Sequence, residues 1–470
     1  MTTKALYLSG KFEGTDTHIE IFNPFNKESI ALVSVANENH IEQAILKAKE
    51  AQEHYKQYGA SDISKALFQI AEKIDERQQE FMLSIISESA KPHKYALAEV
   101  NRAIETFRMA GIESTKLPHE LLDLSATATG QGLMGRVQYI SSGIVAGISP
   151  FNFPLNLVAH KIAPAIATKS PIILKPSSKT PLTALLLAEV IHEIGLPDGA
   201  LSVLPCSRQV GDLLVSDPRI SVLSFTGSPE IGWDMKNRAG KKKVVLELGG
   251  NAAAIVHNDA DLDEAVNQLV VGAFAYSGQV CIHTQRIFVQ KSIFKTFIEK
   301  FIAQTQRMNH GNPENAETDF SCMIDEANAI RIDQWLKEAR NAGAEIVFGG
   351  TRKGSYFDPT IVQSARKGMK IYDEEVFGPV VCLAPYSELD EAIDLVNDSR
   401  FGLQAAVFTK QHTAVEQCFA KLEVGGVILN RATTFRTDQM PYGGIKDSGF
   451  GREGIKYAMM HYLEPKLLVF

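Results

Sequence analysis

The sequence reads as an α/β protein with two parallel-sheet regions in series, and three observations carry that reading. Short apolar runs recur through the middle of the chain. Helical stretches separate them at the spacing of βαβ units, and the alternation starts a second time after Val244. The length, 470 residues, is enough for about three domains of ~150 residues each.

Ahead of the first region, residues 41 to about 89 read as two amphipathic helices. Ile41, Ala44, Ile45 and Ala48 keep helical spacing in the first. Leu67, Ile70, Ile74, Phe81 and Ile85 keep it in the second, with Ser61 as its cap. The first α/β region then runs through strand-like 143–148 and 171–174, a helix over about 180–194, strand-like 199–204, a helix around 210–216, and 220–225. The second holds strand-like 244–248 and 252–256, a helix from about 261 to 276, and strand-like 286–289. Helices near 294–308 and 327–342 follow, then strand-like 345–348, 380–383 and 426–429. Segments 133–140 and 465–470 are strand-like but stand outside both regions, placed to pair with partners.

Composition narrows the function. Apolar residues make up 45% and charged residues 22%, as in ordinary globular proteins. A net charge of −7 argues against a general nucleic-acid binder, which needs a basic surface to displace counterions. No apolar run approaches the ~18 residues of a membrane helix, and the first residues lack a signal-peptide core. Five cysteines, at 206, 281, 322, 382 and 418, form no C-x-x-C pair. An odd, scattered set excludes a disulfide framework and the common zinc motifs, and fits a reducing cytosol.

Two matches to G-x-G-x-x-G, at Gly130/Gly132/Gly135 and Gly449/Gly451/Gly454, lack the strand-to-helix setting of a dinucleotide fingerprint and read as turns. A better anion site lies at 224–232, where Ser228 can cap a helix with Pro229 at its first position. An ordinary capped helix has the same signature. Cys281 ends a helical pattern behind a glycine, in a turn open to a cleft, although a free cysteine is more often a buried small hydrophobe. Glu247 is a lone carboxylate in an apolar run, which is costly unless paired or functional; a solvated strand end is the alternative. Asn152, between aromatics and prolines, is either a donor to an oxyanion or a turn residue. Lys175 ends a strand-like run at the sheet edge where open α/β proteins bind ligands, or is a solvated lysine.

Together these pieces resemble the aldehyde dehydrogenase superfamily over essentially the whole chain. The stretches that carry the resemblance are Pro150-Phe-Asn-Phe-Pro154, Leu174-Lys-Pro176, Phe225-Thr-Gly-Ser228, Leu246-Glu-Leu-Gly-Gly-Asn251, Gly278-Gln-Val-Cys281, Glu374-Glu-Val-Phe-Gly-Pro379 and Pro441-Tyr-Gly-Gly-Ile-Lys-Asp-Ser-Gly449. Their order and the 34-residue interval from Glu247 to Cys281 match the family. The closing stretch resembles the branch that handles lactaldehyde and similar small polar aldehydes.

The resemblance implies an aldehyde dehydrogenase-like fold with two Rossmann-like α/β domains and a small β oligomerisation extension. The cofactor domain would be 1–119 with 141–248, the catalytic domain 249–440, and the bridging segments 120–140 and 441–470. It implies Cys281 as nucleophile, Asn152 and the Cys281 N–H as oxyanion donors, Glu247 as base for thioester hydrolysis, and no metal. NAD or NADP would be held by Ser149, Phe151, Lys175, Ser178, Gly211, Gly227, Ser228, Leu248, Glu375 and Phe377. Lys175 would meet the adenosine ribose, Gly227 and Ser228 the pyrophosphate, and Glu375 the nicotinamide ribose with Phe377 beside it. Many NAD-preferring relatives carry a glutamate three residues after that lysine. Ser178 stands there instead, which removes repulsion against a 2′-phosphate and implies dual cofactor use.

The expected substrate is lactaldehyde or a similar hydroxyaldehyde, with Arg436 at the entrance or in a surface salt bridge. The alternatives are a phosphorylated or other anionic aldehyde, CoA-acylating dehydrogenation and a catalytically silent relative, with esterase activity possible on the side. The expected partner is a second copy of the chain, as homodimer or homotetramer, and the expected location is the cytoplasm.

Overall fold

Residues 2–470 are described by a computed structural model in which five parallel strands form the centre of the larger sheet. Across that sheet lie Lys243–Glu247, Ile220–Thr226, Ile144–Ile148, Ile172–Lys175 and Leu201–Val203, in that spatial order. These are runs of Val, Ile and Leu buried on both faces, as strands covered by helices must be. Chain order reverses between Ile144–Ile148 and Ile220–Thr226, so a crevice opens at their C-terminal ends. Register aligns those ends, with Ile148 opposite Lys175 and Phe225, and Thr226 opposite Glu247. Antiparallel strands Leu6–Leu8 and Lys11–Glu13 extend one edge, and Gly449–Phe450 closes the other against Leu246 and Glu247.

The N-terminal helices differ from expectation in their bounds, a break and a cap. Glu38–His54 starts three residues ahead of the expected residue 41, capped by the Asn37 side chain. The second expected helix is two, Ala60–Glu76 and Gln78–Ser89, broken at Arg77. Ile74, Phe81 and Ile85 keep helical spacing across the break and enter one core, so periodicity does not reveal it. Ser61 is not the cap. The cap position is Gly59, whose N–H donates to the Asp62 carboxylate at 2.8 Å. Helices His93–Glu113 and Asn156–Ala167, absent from the sequence reading, pack on these and bury Phe107, Ile162 and Leu155.

The second sheet runs Glu345–Phe348, Thr360–Gln363, Val380–Tyr386, Thr284–Gln290, Ala252–Val256, Gln404–Phe408 and Gly426–Leu429, parallel except at the Glu345–Phe348 edge. Only Leu248 to Asn251 separate it in the chain from the first sheet. That short link turns the C-terminal edge of one sheet toward the N-terminal edge of the other.

A third sheet pairs His119–Asp123, Met134–Ser141 and Leu463–Val469 antiparallel. The two orphan strand-like segments therefore pair with each other. Of the expected bridging segment 441–470, Leu463–Val469 lies in this sheet, whereas Gly449–Phe450 joins the first sheet and Ile455–His461 packs on Asn156–Ala167. Neither glycine pattern follows a parallel strand. Gly132 turns the chain at φ +80°, and Gly449 pairs with Glu247 inside the antiparallel edge strand.

Candidate active site

Several residues singled out for the crevice lie at strand ends of the two sheets, whereas Gly211 lies in helix Arg208–Ser216 and Ser178 in an exposed turn. Ser149, Lys175, Gly227 and Leu248 directly follow or end first-sheet strands, and Glu247 ends the last of them. Cys281 precedes second-sheet strand Thr284–Gln290, and Glu375 and Phe377 precede Val380–Tyr386.

The thiol sits behind a strained turn. Helix Leu262–Phe274 stops, and Tyr276, Ser277 and Gly278 all take positive φ, at +52°, +54° and +68°. A Cβ on Gly278 would stand 2.2 Å from the Gly378 carbonyl oxygen, so this turn needs glycine against the Glu375–Phe377 loop. Ser277 Oγ donates to the Ser321 carbonyl at 2.8 Å and steadies the αL stretch. Cys281 keeps partial solvent access, and its Sγ lies 3.0 Å from Tyr442 Oη. Burial pushes the thiol up to about 11, opposed by the hydrogen bond to Tyr442. The other four cysteines are buried.

Asn152 is held from both sides. Its side-chain Nδ2 donates to the Gln279 carbonyl at 2.9 Å, two residues from the thiol. Gln279 is anchored in turn, its Oε1 accepting from Ile324 N at 2.9 Å. The Asn152 carbonyl accepts from Lys91 Nζ at 2.7 Å. Lys91 is ion-paired with Glu99, and Glu99 Oε1 accepts from Leu155 N at 2.9 Å and Asn156 N at 3.1 Å. The ammonium also lies over Phe153 at 3.8 Å and Tyr276 at 4.6 Å. One buried ion pair thus ties the Asn152 loop to the thiol turn. Lys91, Glu99 and Gln279 escaped the sequence reading because nothing in a single chain marks such partners.

Glu247 is 3% exposed, and among the described residues neither carboxylate oxygen has a hydrogen-bond partner. It is no solvated strand end. Burial and then repulsion from Glu453 hold its carboxyl well above the usual range, against the pull of Arg436, Lys161 and Arg452. Beneath it lies a buried charge cluster. Lys161 Nζ donates to Thr226 Oγ1 at 2.8 Å and Ser224 Oγ at 3.0 Å and pairs with Glu453 at 3.3 Å. Arg436 pairs with the other oxygen of Glu453 at 3.3 Å, and its side chain is 4% exposed. The Arg436 side chain thus lies inside the protein, and its ion pair is a buried one instead of the surface salt bridge expected as the alternative. Asp438 meets Arg102 at 3.0 Å and His160 at 3.1 Å. Burial works to raise Glu453 and Asp438, but Lys161 and His160, respectively, lead the cations that hold them low. A sequence signal existed for Lys161: a lysine inside the apolar stretch Val158-Ala-His-Lys-Ile-Ala163.

Several features fit a dinucleotide. Ser228 occupies the cap position of helix Pro229–Arg238 but makes no capping bond, which leaves free N–H groups at a helix start. Ser149 Oγ is buried without a partner. A Cβ on Gly211 would meet Lys175 Cδ at 2.5 Å, so this glycine makes room for the lysine stem. Phe151 and Phe377 stand edge to face at 5.9 Å. Glu375 accepts from Gly250 N at 3.0 Å, and burial lifts its carboxyl to about 7. Leu248 is buried against Gly232 of the same helix, while Ser178 is exposed. Lys179, next to it, is ion-paired with Asp325.

Two outcomes follow from these partners. Glu99→Ala leaves Lys91 buried without its counter-ion and two N–H groups unpaired, and should cost about 3–5 kcal/mol in denaturant unfolding. Glu247→Gln tests the unpaired carboxylate. Below the unfolded glutamate value of ~4.3 both forms are neutral, and the variant should match the parent. Above it the parent must bury a charge or keep a proton, so the variant should melt higher at pH 8 than the parent but not at pH 4.

A family model described as the aldehyde dehydrogenase family matches residues 12–468. The 3-sulfolactaldehyde dehydrogenase of Priestia aryabhattai is 38% identical over 469 residues, covering 99% of this chain and 97% of that protein. The crystal structure of aldehyde dehydrogenase 21 from Physcomitrella patens, in complex with the reaction product succinate, matches with a TM-score of 0.98 at 42% identity, covering 100% of this chain and 98% of that one. The glyceraldehyde-3-phosphate dehydrogenase GapN of Methanocaldococcus jannaschii DSM 2661, complexed with NADP, matches with a TM-score of 0.93 at 35% identity, covering 97% and 100%. With likeness this extensive and the diagnostic stretches gathered on one crevice, the chain belongs to the aldehyde dehydrogenase family of NAD(P)-dependent oxidoreductases.

Proposed function

We propose that this aldehyde dehydrogenase converts a small polar aldehyde, of the lactaldehyde type, to its carboxylic acid through a thioester on Cys281. The observation that carries the reading is the meeting of a partly open thiol, an anchored amide and an unpartnered carboxylate where the two sheet edges face each other.

Cys281 Sγ attacks the aldehyde carbon. Asn152 has two amide hydrogens and spends one on the Gln279 carbonyl, so the second is free for the developing oxyanion beside the Cys281 N–H. One such donor is worth roughly 2.7–4 kcal/mol in the transition state. The nicotinamide, when bound, supplies the hydride acceptor. Gly227, Ser228 and the start of helix Pro229–Arg238, with Ser149, would hold the dinucleotide's phosphates, Gly211 and Lys175 would lie on the adenosine side, and Leu248, Phe151, Phe377 and Glu375 on the nicotinamide side. Glu247 then takes a proton from the water that hydrolyses the thioester, and the burial that holds its carboxyl well above the usual range makes the carboxylate a stronger base. An unpaired carboxylate there supports water, rather than CoA, as the acyl acceptor.

Arg436, the cation that acts on the thiol, has its side chain buried and held by Glu453 at 3.3 Å. That engagement supports a hydroxyaldehyde over a phosphorylated one. A second reading, an aldehyde bearing a carboxylate or sulfonate, is favoured by the part-exposed Arg102 guanidinium and by the sulfolactaldehyde and succinate relatives. Ser178 supports dual cofactor use, since it sets no carboxylate against a 2′-phosphate. Exposed Leu121, Leu467, Leu468 and Val469 on the third sheet support a homodimer or homotetramer. Among the described residues no helix is long and apolar enough to cross a membrane; cytoplasmic residence is part of the same proposal, and five free thiols support it.

Cys281→Ala should lower NAD(P)H production at least a thousandfold; full retention would end this mechanism. An aldehyde panel read by reduced-cofactor absorbance, with NAD and NADP in parallel, tests the rest. Lactaldehyde should exceed glyceraldehyde 3-phosphate in kcat/KM, and both cofactors should serve. Reversal of that order, or a thousandfold preference for NAD, would overturn the corresponding assignment.

A further inference from the structure

We propose that the Tyr442 hydroxyl is the hydrogen-bond donor that raises the thiolate population of Cys281 against burial, an inference that rests on reading Cys281 as the nucleophile. Tyr442 Oη lies 3.0 Å from Sγ, and the thiol is its only hydrogen-bond partner among the described residues. While sulfur carries its proton, either atom can donate. Once the thiol ionises, sulfur has nothing to give and the hydroxyl must donate. A bond that persists and strengthens in the charged form favours that form.

The hydroxyl is fixed in place. Tyr442 is 4% exposed, and its backbone exchanges two hydrogen bonds with Glu453, at 2.9 and 2.6 Å. The Arg436 guanidinium lies 3.6 Å from the ring centroid, itself anchored by Glu453 at 3.3 Å. A cation on the ring face draws on its π charge and makes the phenol a better donor. The neighbouring residue meets the base. Gly443 takes φ +151°, and a Cβ there would stand 2.8 Å from Glu247 Oε1. Two consecutive residues therefore touch nucleophile and base, and the main chain between them sets their separation.

The groups facing the thiol are Tyr442, Glu375, Arg436 and Glu247, and those facing the hydroxyl are Cys281, Arg436 and Glu247. Glu375 and Glu247 oppose thiolate formation and Arg436 favours it, but among the described residues only Tyr442 hydrogen-bonds the sulfur. Burial, with the facing thiol next, holds the phenol well above its ordinary value, so the hydroxyl keeps its proton while the thiol loses one to water or base. On attack the S–C bond forms, sulfur becomes neutral and its bond to the hydroxyl weakens. The contribution of Tyr442 is therefore to the thiolate population before attack.

Tyr442→Phe keeps the ring, its stacking on Arg436 and the backbone pairing, and removes one hydroxyl. Hydrogen bonds to charged groups imply a rise of about one to two pH units in the thiol midpoint. The full-length enzyme without cofactor is titrated by ultraviolet thiolate absorbance, each form against its Cys281→Ala counterpart. At neutral pH, carboxamidomethylation of Cys281 by iodoacetamide should slow about three- to fifteenfold. The smaller thiolate fraction outweighs the gain in nucleophilicity that accompanies a higher pKa. Placing 3-fluorotyrosine at 442 makes a stronger donor of nearly the same size and should move the midpoint down, which a purely structural role would not do. This arm decides the matter if the Phe variant does not fold. A midpoint unchanged or lowered in folded Tyr442→Phe, or unchanged or raised with the fluorinated residue, overturns the proposal. The two readings separate cleanly. Turnover retained in Cys281→Ala removes the nucleophile assignment itself, whereas a dead Cys281→Ala beside a Tyr442→Phe that titrates like the parent removes only the role of Tyr442.

Discussion

The four-residue link Leu248 to Asn251 is the constraint on which the rest of the site depends. It is too short for a helix or a wide loop, so the C-terminal edge of the first sheet must face the N-terminal edge of the second. Side chains at its centre would not fit. A Cβ on Gly249 would stand 2.4 Å from Glu375 Oε2, and one on Gly250 would stand 2.3 Å from the Cys281 carbonyl oxygen. The close approach of backbone to both loops brings the crevice, the Glu247 carboxylate and the Cys281 thiol to one place.

Around that junction several buried charges meet partners. Glu99 satisfies Lys91, Glu453 meets Lys161 and Arg436, and Asp438 meets Arg102 and His160. Glu247 has no hydrogen-bond partner for its carboxylate among the described residues. A paired carboxylate would be held low; an isolated, buried one is raised and destabilises the fold when it ionises, and in the proposed role of base it gains strength from the same isolation. Stability and reactivity therefore oppose each other at this residue, and the surrounding pairs hold the fold while Glu247 stays free.

Much of the fold was legible because buried strands and helix faces leave strong periodic marks. The runs 144–148, 172–174 and 252–256 are continuous apolar segments, and each is a strand. The break at Arg77 was not legible, since the apolar rows on either side of it serve one core. Helix Asn156–Ala167 went unread because all twelve of its residues are buried, which erases the amphipathic contrast that marks a helix. Among site residues, Cys281, Glu247 and Asn152 stood out by type and setting. Lys91, Glu99, Gln279 and the side of Tyr442 that meets the thiol did not, because their partners lie far away in the chain.

The sequence by itself determined the α/β class, the thiol set apart from four packing cysteines, and the ordered motifs that mark the aldehyde dehydrogenase family. Each of these is written in local pattern, in residue type or in the order of short segments. Only the tertiary structure decided that the Glu247 carboxylate is without a hydrogen-bond partner, that Arg436 is buried under an aromatic ring, and that Tyr442 reaches the thiol. Those facts depend on distances between segments remote in the chain, and on which buried charges find partners when the two sheets close on each other.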